Sequence, residues 1–318
     1  METIPEVKLG KTGLTVPRLG LGSAFLAGPF VSVPERQALE AVEYALEEGI
    51  RFFDTAPLYG AGQAEIRLGR ILSQVPRDSF VLSTKVGRLV KDDGTVVFDY
   101  SRDGILRSFE ESLKRLQLDR VDILLLHDPD DFYREALENG YPVLDELRSQ
   151  GVISAVGAGM NQWEMLADFA RQADFDCFLL AGRYTLLEQK ALDEFLPLCQ
   201  QKGIGVFMGG ILNSGILATG AIPGARYNYE PAPPEILERV SRIEAICARY
   251  GVPLNVAALQ FPAAHPAASA LIVGAQSKDE IAANFEFLKQ PLPQGLWDDL
   301  KREGLLAENA PVPQESFL

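Results

Sequence analysis

The sequence predicts an α/β fold, a closed (β/α)8 TIM barrel preceded by a β-hairpin that closes the barrel bottom. Three observations carry this expectation. Eight short apolar runs alternate with stretches of helical period along the chain. Several of the runs are apolar on both alternations, as strands buried on both faces of a parallel sheet must be. No Gly-x-Gly-x-x-Gly follows the first run, which argues against a doubly wound dinucleotide-binding sheet.

In chain order, "VKLGKTGLTVPRLGLG" holds two short runs around Gly10-Lys11-Thr12-Gly13 and reads as the hairpin. The strand candidates are "RLGLG" (18–22), "RFFDTA" (51–56), "FVLSTKV" (80–86) and "VDILLLH" (121–127), followed by "AVGAGM" (155–160), "DCFLLAG" (176–182), "IGVFMGG" (204–210) and "SALIVGA" (269–275). Between the first two, Ser32-Val-Pro-Glu35 has capping-box spacing and opens a helix that ends at Gly49. Over 102–117, Ile105, Leu106, Phe109, Leu113 and Leu116 recur at helical spacing behind an N-cap at Ser101. The Pro/Gly-rich stretch "AIPGARYNYEPAPPE" (221–235) is a loop long enough to be functional, and "ENAPVPQESFL" reads as a loose tail. No linker or fixed-period repeat interrupts the chain, so 1–318 is expected to be a single domain.

The chemistry excludes several functions. With 47% hydrophobic and 23% charged residues the composition is that of a globular protein. A formal net charge of −14 repels phosphate backbones and anionic lipid surfaces, which disfavours nucleic-acid and membrane partners. Cys177, Cys199 and Cys247 are too few and scattered for a disulfide framework or a zinc site, so no metal is expected. No basic leader or 18-residue apolar run is present, and a cytoplasmic protein, monomeric or a small homo-oligomer, is expected.

Catalytic groups of such barrels gather at the C-terminal ends of the strands. The second strand ends on Asp54 with Tyr59 just beyond, the third carries Lys85, and the fourth ends on His127. Each has an ordinary explanation as a cap, a core ring or a surface amine, yet all four fall on one rim. A lysine inside "FVLSTKVG" cannot reach solvent from a central strand, and unpaired it would cost several kcal/mol, so Asp54 is its expected partner. A phenol with a pKa near 10 exchanges protons poorly at neutral pH, and a nearby ammonium should pull that value down. His127 would then orient the substrate oxygen or share the proton with Tyr59.

The segments "FFDTAPLYGAGQAEIRLGRIL", "FVLSTKVG", "VDILLLHDPD" and "GVISAVGAGMNQ" resemble, in order, the signatures of the aldo-keto reductase family. The resemblance implies a (β/α)8 barrel that binds a nicotinamide cofactor without a Rossmann domain. It also implies Tyr59 as general acid/base, Lys85 and Asp54 as the groups that tune it, and His127 as the group that positions the carbonyl or hydroxyl. Asn161 would contact the nicotinamide carboxamide. Gly22 and Asp54 would contact the cofactor, as would Gly210, Leu212 and Ser214, whose loop through Gly215 cradles the pyrophosphate with backbone N–H groups. Gly274, Gln276 and Glu280 would hold the adenosine ribose and Asn284 the adenine. Ala181 and Gly209-Gly210 depart from the family's usual glutamine and stacking ring. Glu280 stands where members preferring the phosphorylated cofactor carry arginine. An acid repels a phosphate and accepts from a ribose diol, so NAD is the expected cofactor, while Lys278 leaves NADP open.

The departures resemble the branch of the family that includes L-fucose or D-threo-aldose 1-dehydrogenase, L-galactose dehydrogenase and pyridoxal 4-dehydrogenase. In that branch a cyclic hemiacetal loses hydride to NAD(P) and becomes a lactone. The resemblance implies oxidation of an aldose at C1, of L-fucose, L-galactose or D-arabinose type. Pyridoxal oxidation and NADPH-dependent reduction of aldehydes or ketones are the enzymatic alternatives. The family also includes channel-associated regulatory subunits, against which the intact tetrad argues. Specificity is expected from four loops, roughly 24–31, 88–100, 128–141 and 221–233, whose residues carry no readable code.

Overall fold

Eight parallel strands close on themselves in a computed structural model that describes residues 4–28, 32–91 and 93–318. Numbering strands along the chain, the barrel consists of β3 (Leu19–Gly22), β4 (Phe52–Asp54), β5 (Val81–Val86) and β8 (Ile123–His127), then β9 (Ala155–Met160), β10 (Cys177–Ala181), β11 (Gly205–Gly209) and β14 (Ala268–Gly274), which returns to β3. Each of these eight falls on an expected run. Among the described residues, three small antiparallel pairs lie outside the barrel: β1 (Glu6–Lys8) with β2 (Thr15–Pro17), β6 (Arg88–Val90) with β7 (Val96–Phe98), and β12 (Arg226–Tyr227) with β13 (Glu230–Pro231).

The first pair is the expected plug. Leu9 and Val16 are fully buried against Phe52, Val81, Ile123 and Phe207 inside the barrel. A Cβ on Gly10 would lie 2.6 Å from Gly203 O and 2.9 Å from Asp176 O, so the hairpin turn sits against the chain entering β10 and β11. Glycine is required there, at φ +51° and with no room for a side chain.

Strand alternation decides what faces inward. Phe52, Val81, Ile123, Leu125, Cys177, Leu179 and Phe207 fill the barrel interior, whereas Phe53, Leu82, Leu124, Leu126 and Phe178 face the surrounding helices. Asp54, Ser83, Lys85 and His127 share the phase of the interior residues. Alternation therefore delivers three ionisable groups to one end of the barrel. Gly159 flanks the lysine: a Cβ there would stand 3.4 Å from Lys85 Cε, an ordinary contact distance.

The helix Arg102–Leu116 begins as expected, with Ser101 Oγ accepting from Gly104 N at 3.1 Å. The expected capping box at Ser32 does not form. The helix starts at Glu35 behind Pro34, with no side-chain cap, and Glu35 instead pairs with Arg70 on the neighbouring helix. The C-terminal stretch is not a loose tail either. Phe317 N and Leu318 N both donate to Leu288 O, Lys301 Nζ donates to Ala310 O at 2.8 Å, and the Arg18 guanidinium lies over the Phe317 ring. Those backbone bonds and apolar contacts offset the entropy of ordering a proline-containing end.

Candidate active site

The rim is built first from the turn after β4. Gly60, Ala61 and Gly62 all have positive φ, a run that swings the chain from the barrel mouth into the helix Gln63–Leu72. Gly62 favours glycine through its φ of +85°, and a Cβ there would also press on Arg115 Cδ at 2.6 Å. One turn on, Glu65 is fully buried; it accepts from Thr84 Oγ1 at 2.6 Å and from Arg115 Nε at 2.6 Å. The turn carrying Tyr59 is thus fixed to the outward face of β5 while Lys85, the next residue along, points inward.

Lys85 and Asp54 meet as expected. Lys85 Nζ donates to Asp54 Oδ1 at 2.7 Å and to Thr55 O at 2.9 Å, and Ser83 Oγ donates to the other carboxylate oxygen at 2.7 Å. Their side chains are 1% and 3% exposed. Burial alone pushes the ammonium toward neutrality, but Asp54 and Tyr59 together outweigh it and the lysine pKa ends above its ordinary value.

Tyr59 and His127 close the group. The Lys85 ammonium lies 4.8 Å from the Tyr59 ring centre, and the Tyr59 and His127 rings meet edge to face at 5.9 Å. Burial pushes the Tyr59 phenol up to about 12; Lys85 pulls it down, but by less. The expected lowering therefore has the right sign for the lysine contribution and the wrong sign for the total, because burying a phenolate costs more than one ammonium returns. Burial, then Lys85 and Arg88, lower the His127 pKa well below its ordinary value, so the imidazole is neutral. Tyr100 Oη donates to His127 O at 2.6 Å and fixes the strand end.

Tyr59, Lys85, His127 and Asn161 all line a cavity of about 470 Å³. So do residues that the sequence did not single out. Phe25, Arg88, Asp128 and Tyr229 reach it, one from each of the four expected specificity loops. Their only sequence signal is position just after a strand or in a Pro/Gly-rich loop. Tyr229 is brought in by the small pair β12–β13, tied down where Tyr229 N donates to Ser214 Oγ at 3.0 Å and Arg183 Nη1 to Asn228 Oδ1 at 2.8 Å.

Residues 18–302 match the model of the aldo/keto reductase family. The chain belongs to this family. Among aldo/keto reductases it is 39% identical to a pyridoxal 4-dehydrogenase of Microbacterium luteolum, covering 94% of this chain and 97% of that one. It is 38% identical to a D-threo-aldose 1-dehydrogenase of a Pseudomonas species, over 95% and 98% of the two chains. The holo form of an aldo-keto reductase from Bacillus halodurans superposes with a TM-score of 0.78 at 26% identity, over 99% of this chain and all of that one. The protein is an NAD(P)-dependent oxidoreductase of the aldo-keto reductase type.

The residues expected at the nicotinamide cofactor are spread along the rim. Asn161 lies in the catalytic cavity, where its Nδ2 donates to Ala181 O at 2.6 Å. The others do not line that cavity. Strand register sets Gly274, Gly22 and Asp54 side by side on β14, β3 and β4. The loop after β11 has positive φ at Gly210, Asn213, Ser214 and Gly215, with Leu212 between. Asn213 holds that shape, accepting from Thr185 Oγ1 at 2.5 Å and donating to Gly182 O at 3.0 Å. A Cβ on Gly210 would crowd Gly182 N at 2.9 Å, so this cradle exists only with glycine. Within it Asn213 N donates to Gly210 O at 2.9 Å and Gly215 N to Leu212 O at 3.0 Å.

Beyond β14 the chain turns into the helix Lys278–Lys289. A Cβ on Gly274 would overlap Phe25 at 2.5 Å, so its missing side chain serves packing there. Gln276 N donates to Glu280 Oε2 at 2.9 Å, and Ser277 Oγ accepts from Glu280 N at 3.3 Å. Glu280 is therefore part of the helix cap as well as a charge on the rim. Asn284, on the same helix, borders a separate small cavity with Ala275 and Leu21.

Proposed function

We propose that the protein oxidises the C1 hemiacetal of an aldose, of L-fucose, L-galactose or D-arabinose type, to the corresponding lactone with NAD. The observation that carries this reading is the convergence of Tyr59, a charged Lys85 and a neutral His127 on one cavity. An anomeric hydroxyl is more acidic than an ordinary alcohol, which suits a tyrosine base. His127 holds the C1 oxygen with a neutral ring N–H. Tyr59 takes the hydroxyl proton, and Lys85, kept charged by Asp54, stabilises the phenolate that forms. Asn161 and the glycine cradle after β11 would hold the cofactor, with Gln276, Glu280 and Asn284 toward its adenosine end. A nicotinamide held there would supply the hydride acceptor for C1.

Glu280 supports NAD over NADP, since its carboxylate both repels a ribose phosphate and occupies the Gln276 N–H. Pyridoxal, in its internal hemiacetal form, is the second substrate reading, supported by the relative that carries that activity in its name. The three buried free cysteines fit a reducing compartment such as the cytoplasm. The test is a screen of aldoses and pyridoxal with NAD and NADP, followed by the absorbance of the reduced nicotinamide. The expected result is NAD-dependent oxidation of an aldose at higher kcat/KM than aldehyde reduction with NADPH. Faster aldehyde reduction, with no aldose oxidised, overturns the reading.

A further inference from the structure

Arg88 and Asp128 line the catalytic cavity, Asp128 directly past β8 and Arg88 two residues past the end of β5. Gly87, at φ +90°, turns the chain out of β5, and a Cβ there would collide with the Tyr100 ring at 2.1 Å. Asp128 adopts φ +43° although it is not glycine, and its N–H is fixed to Gly159 O at 3.0 Å. The local backbone is therefore committed to presenting these two side chains. Arg88 Nη1 lies 2.5 Å from Asp128 Oδ2, with the side chains 29% and 21% exposed. The guanidinium is propped over Phe98, 5.5 Å from the ring centre, and its buried Nε has no partner among the described residues. Asp128 Oδ2 is also 3.5 Å from His127 Nε2, which joins the pair to the reacting centre.

A guanidinium offers five N–H donors and a carboxylate only acceptor sites, so one ion pair leaves capacity on both. The pair is neutral in sum. It gives an anionic substrate no net attraction and a cationic one none either, but it offers donor and acceptor side by side, the pattern that adjacent hydroxyl groups match. We propose that Arg88 and Asp128 form a two-sided clamp for the hydroxyl groups of a neutral cyclic sugar, Asp128 accepting from one and Arg88 donating to its neighbour. This rests on the hemiacetal reading above and names what selects a sugar within it. Substrates without such hydroxyls leave the clamp unused.

The test compares the best aldose from the screen with 2-hydroxytetrahydropyran, a six-membered hemiacetal that carries no other hydroxyl. In Arg88→Met and in Asp128→Asn, the ratio of kcat/KM for the aldose to that for 2-hydroxytetrahydropyran should fall roughly 10- to 100-fold, as expected for losing a hydrogen bond to a charged group. Deoxy-aldoses lacking one hydroxyl at a time, tried on the unaltered enzyme, should show a comparable loss at one or two ring positions, which keeps the proposal testable if a variant folds poorly. Equal losses on both substrates, or an unchanged ratio, or a flat deoxy series overturn the clamp while leaving hemiacetal oxidation standing. If the unaltered enzyme oxidises neither substrate with NAD or NADP, the hemiacetal reading falls and the clamp falls with it.

Discussion

The Lys85 ammonium donates to Asp54 Oδ1 at 2.7 Å in a setting where both side chains are almost wholly buried. Removing one member strands the other without water or counter-charge. Asp54→Asn and Lys85→Met should each lower unfolding free energy by about 3–5 kcal/mol. The double variant Asp54→Leu, Lys85→Met should recover part of that loss, because it leaves no unpaired charge and only Ser83 Oγ and Thr55 O short of their present partners, yet it should stay inactive. Denaturant midpoints and turnover, measured on the three proteins, separate the two contributions; single variants that cost under about 1 kcal/mol would contradict the pairing argument.

Tyr59 is the group whose proton moves in the proposed reaction. Tyr59→Phe removes one oxygen and should lower kcat by roughly 10²- to 10⁴-fold, the range of a lost general acid/base, while cofactor binding stays near normal. The phenol pKa is raised to about 12 in this structure, so the proton is held more tightly than usual and phenolate is scarce at neutral pH. Oxidation should therefore quicken as pH rises through the neutral and alkaline range, whereas reduction, which uses the protonated phenol, should stay level until the pH approaches about 12. A pH-independent oxidation rate limited by chemistry would remove Tyr59 from the role.

His265 links pH to stability rather than to activity. Burial lowers its pKa from 6.5 to about 4, and its Nδ1 accepts from Ala267 N at 3.1 Å. Above pH 6.5 the ring is neutral whether the chain is folded or not. Below that value the unfolded chain takes up a proton that the folded one refuses, so stability falls with pH until the folded pKa is reached. The loss attributable to this ring is roughly 1.4 kcal/mol per pH unit within the window. His127, also held neutral, works in the same direction. Unfolding curves of the protein and of His265→Asn between pH 7 and 4 should converge as pH falls; parallel curves would show that the ring titrates normally.

The barrel strands and the placement of the candidate catalytic group were legible for one reason, the period of two. Asp54, Lys85 and His127 stand in phase with inward apolar residues on short runs, so their placement follows from alternation and parallel order. Arg88, Asp128 and Tyr229 were not legible because their positions depend on tertiary ties: Gly87 against Tyr100, Asp128 N to Gly159 O, and Tyr229 N to Ser214 Oγ. Ser32 had the spacing of a cap, but Pro34 starts the helix after it. The net pKa of Tyr59 likewise depends on how much burial opposes Lys85, a balance of two large opposing effects that residue order does not contain.

In the proposed NAD reading, Glu280 joins the helix cap to cofactor choice. Its carboxylate accepts the Gln276 N–H at 2.9 Å, ahead of a helix whose positive end would otherwise face any anion bound there. Glu280→Arg removes a negative charge, adds a positive one and frees the Gln276 N–H to donate. The NADP-to-NAD ratio of kcat/KM should rise by roughly tenfold or more, for a cost near 1 kcal/mol in lost capping. Glu280→Gln keeps a side-chain acceptor for the same N–H but carries no charge, so it should shift preference by less and leave the melting temperature closer to the original. Equal shifts in the two variants would mean that loss of the negative charge decides and the new guanidinium adds nothing. An unchanged ratio in Glu280→Arg would show that the adenosine phosphate is read elsewhere on the rim, with Lys278 the nearest cation in sequence to take over that role.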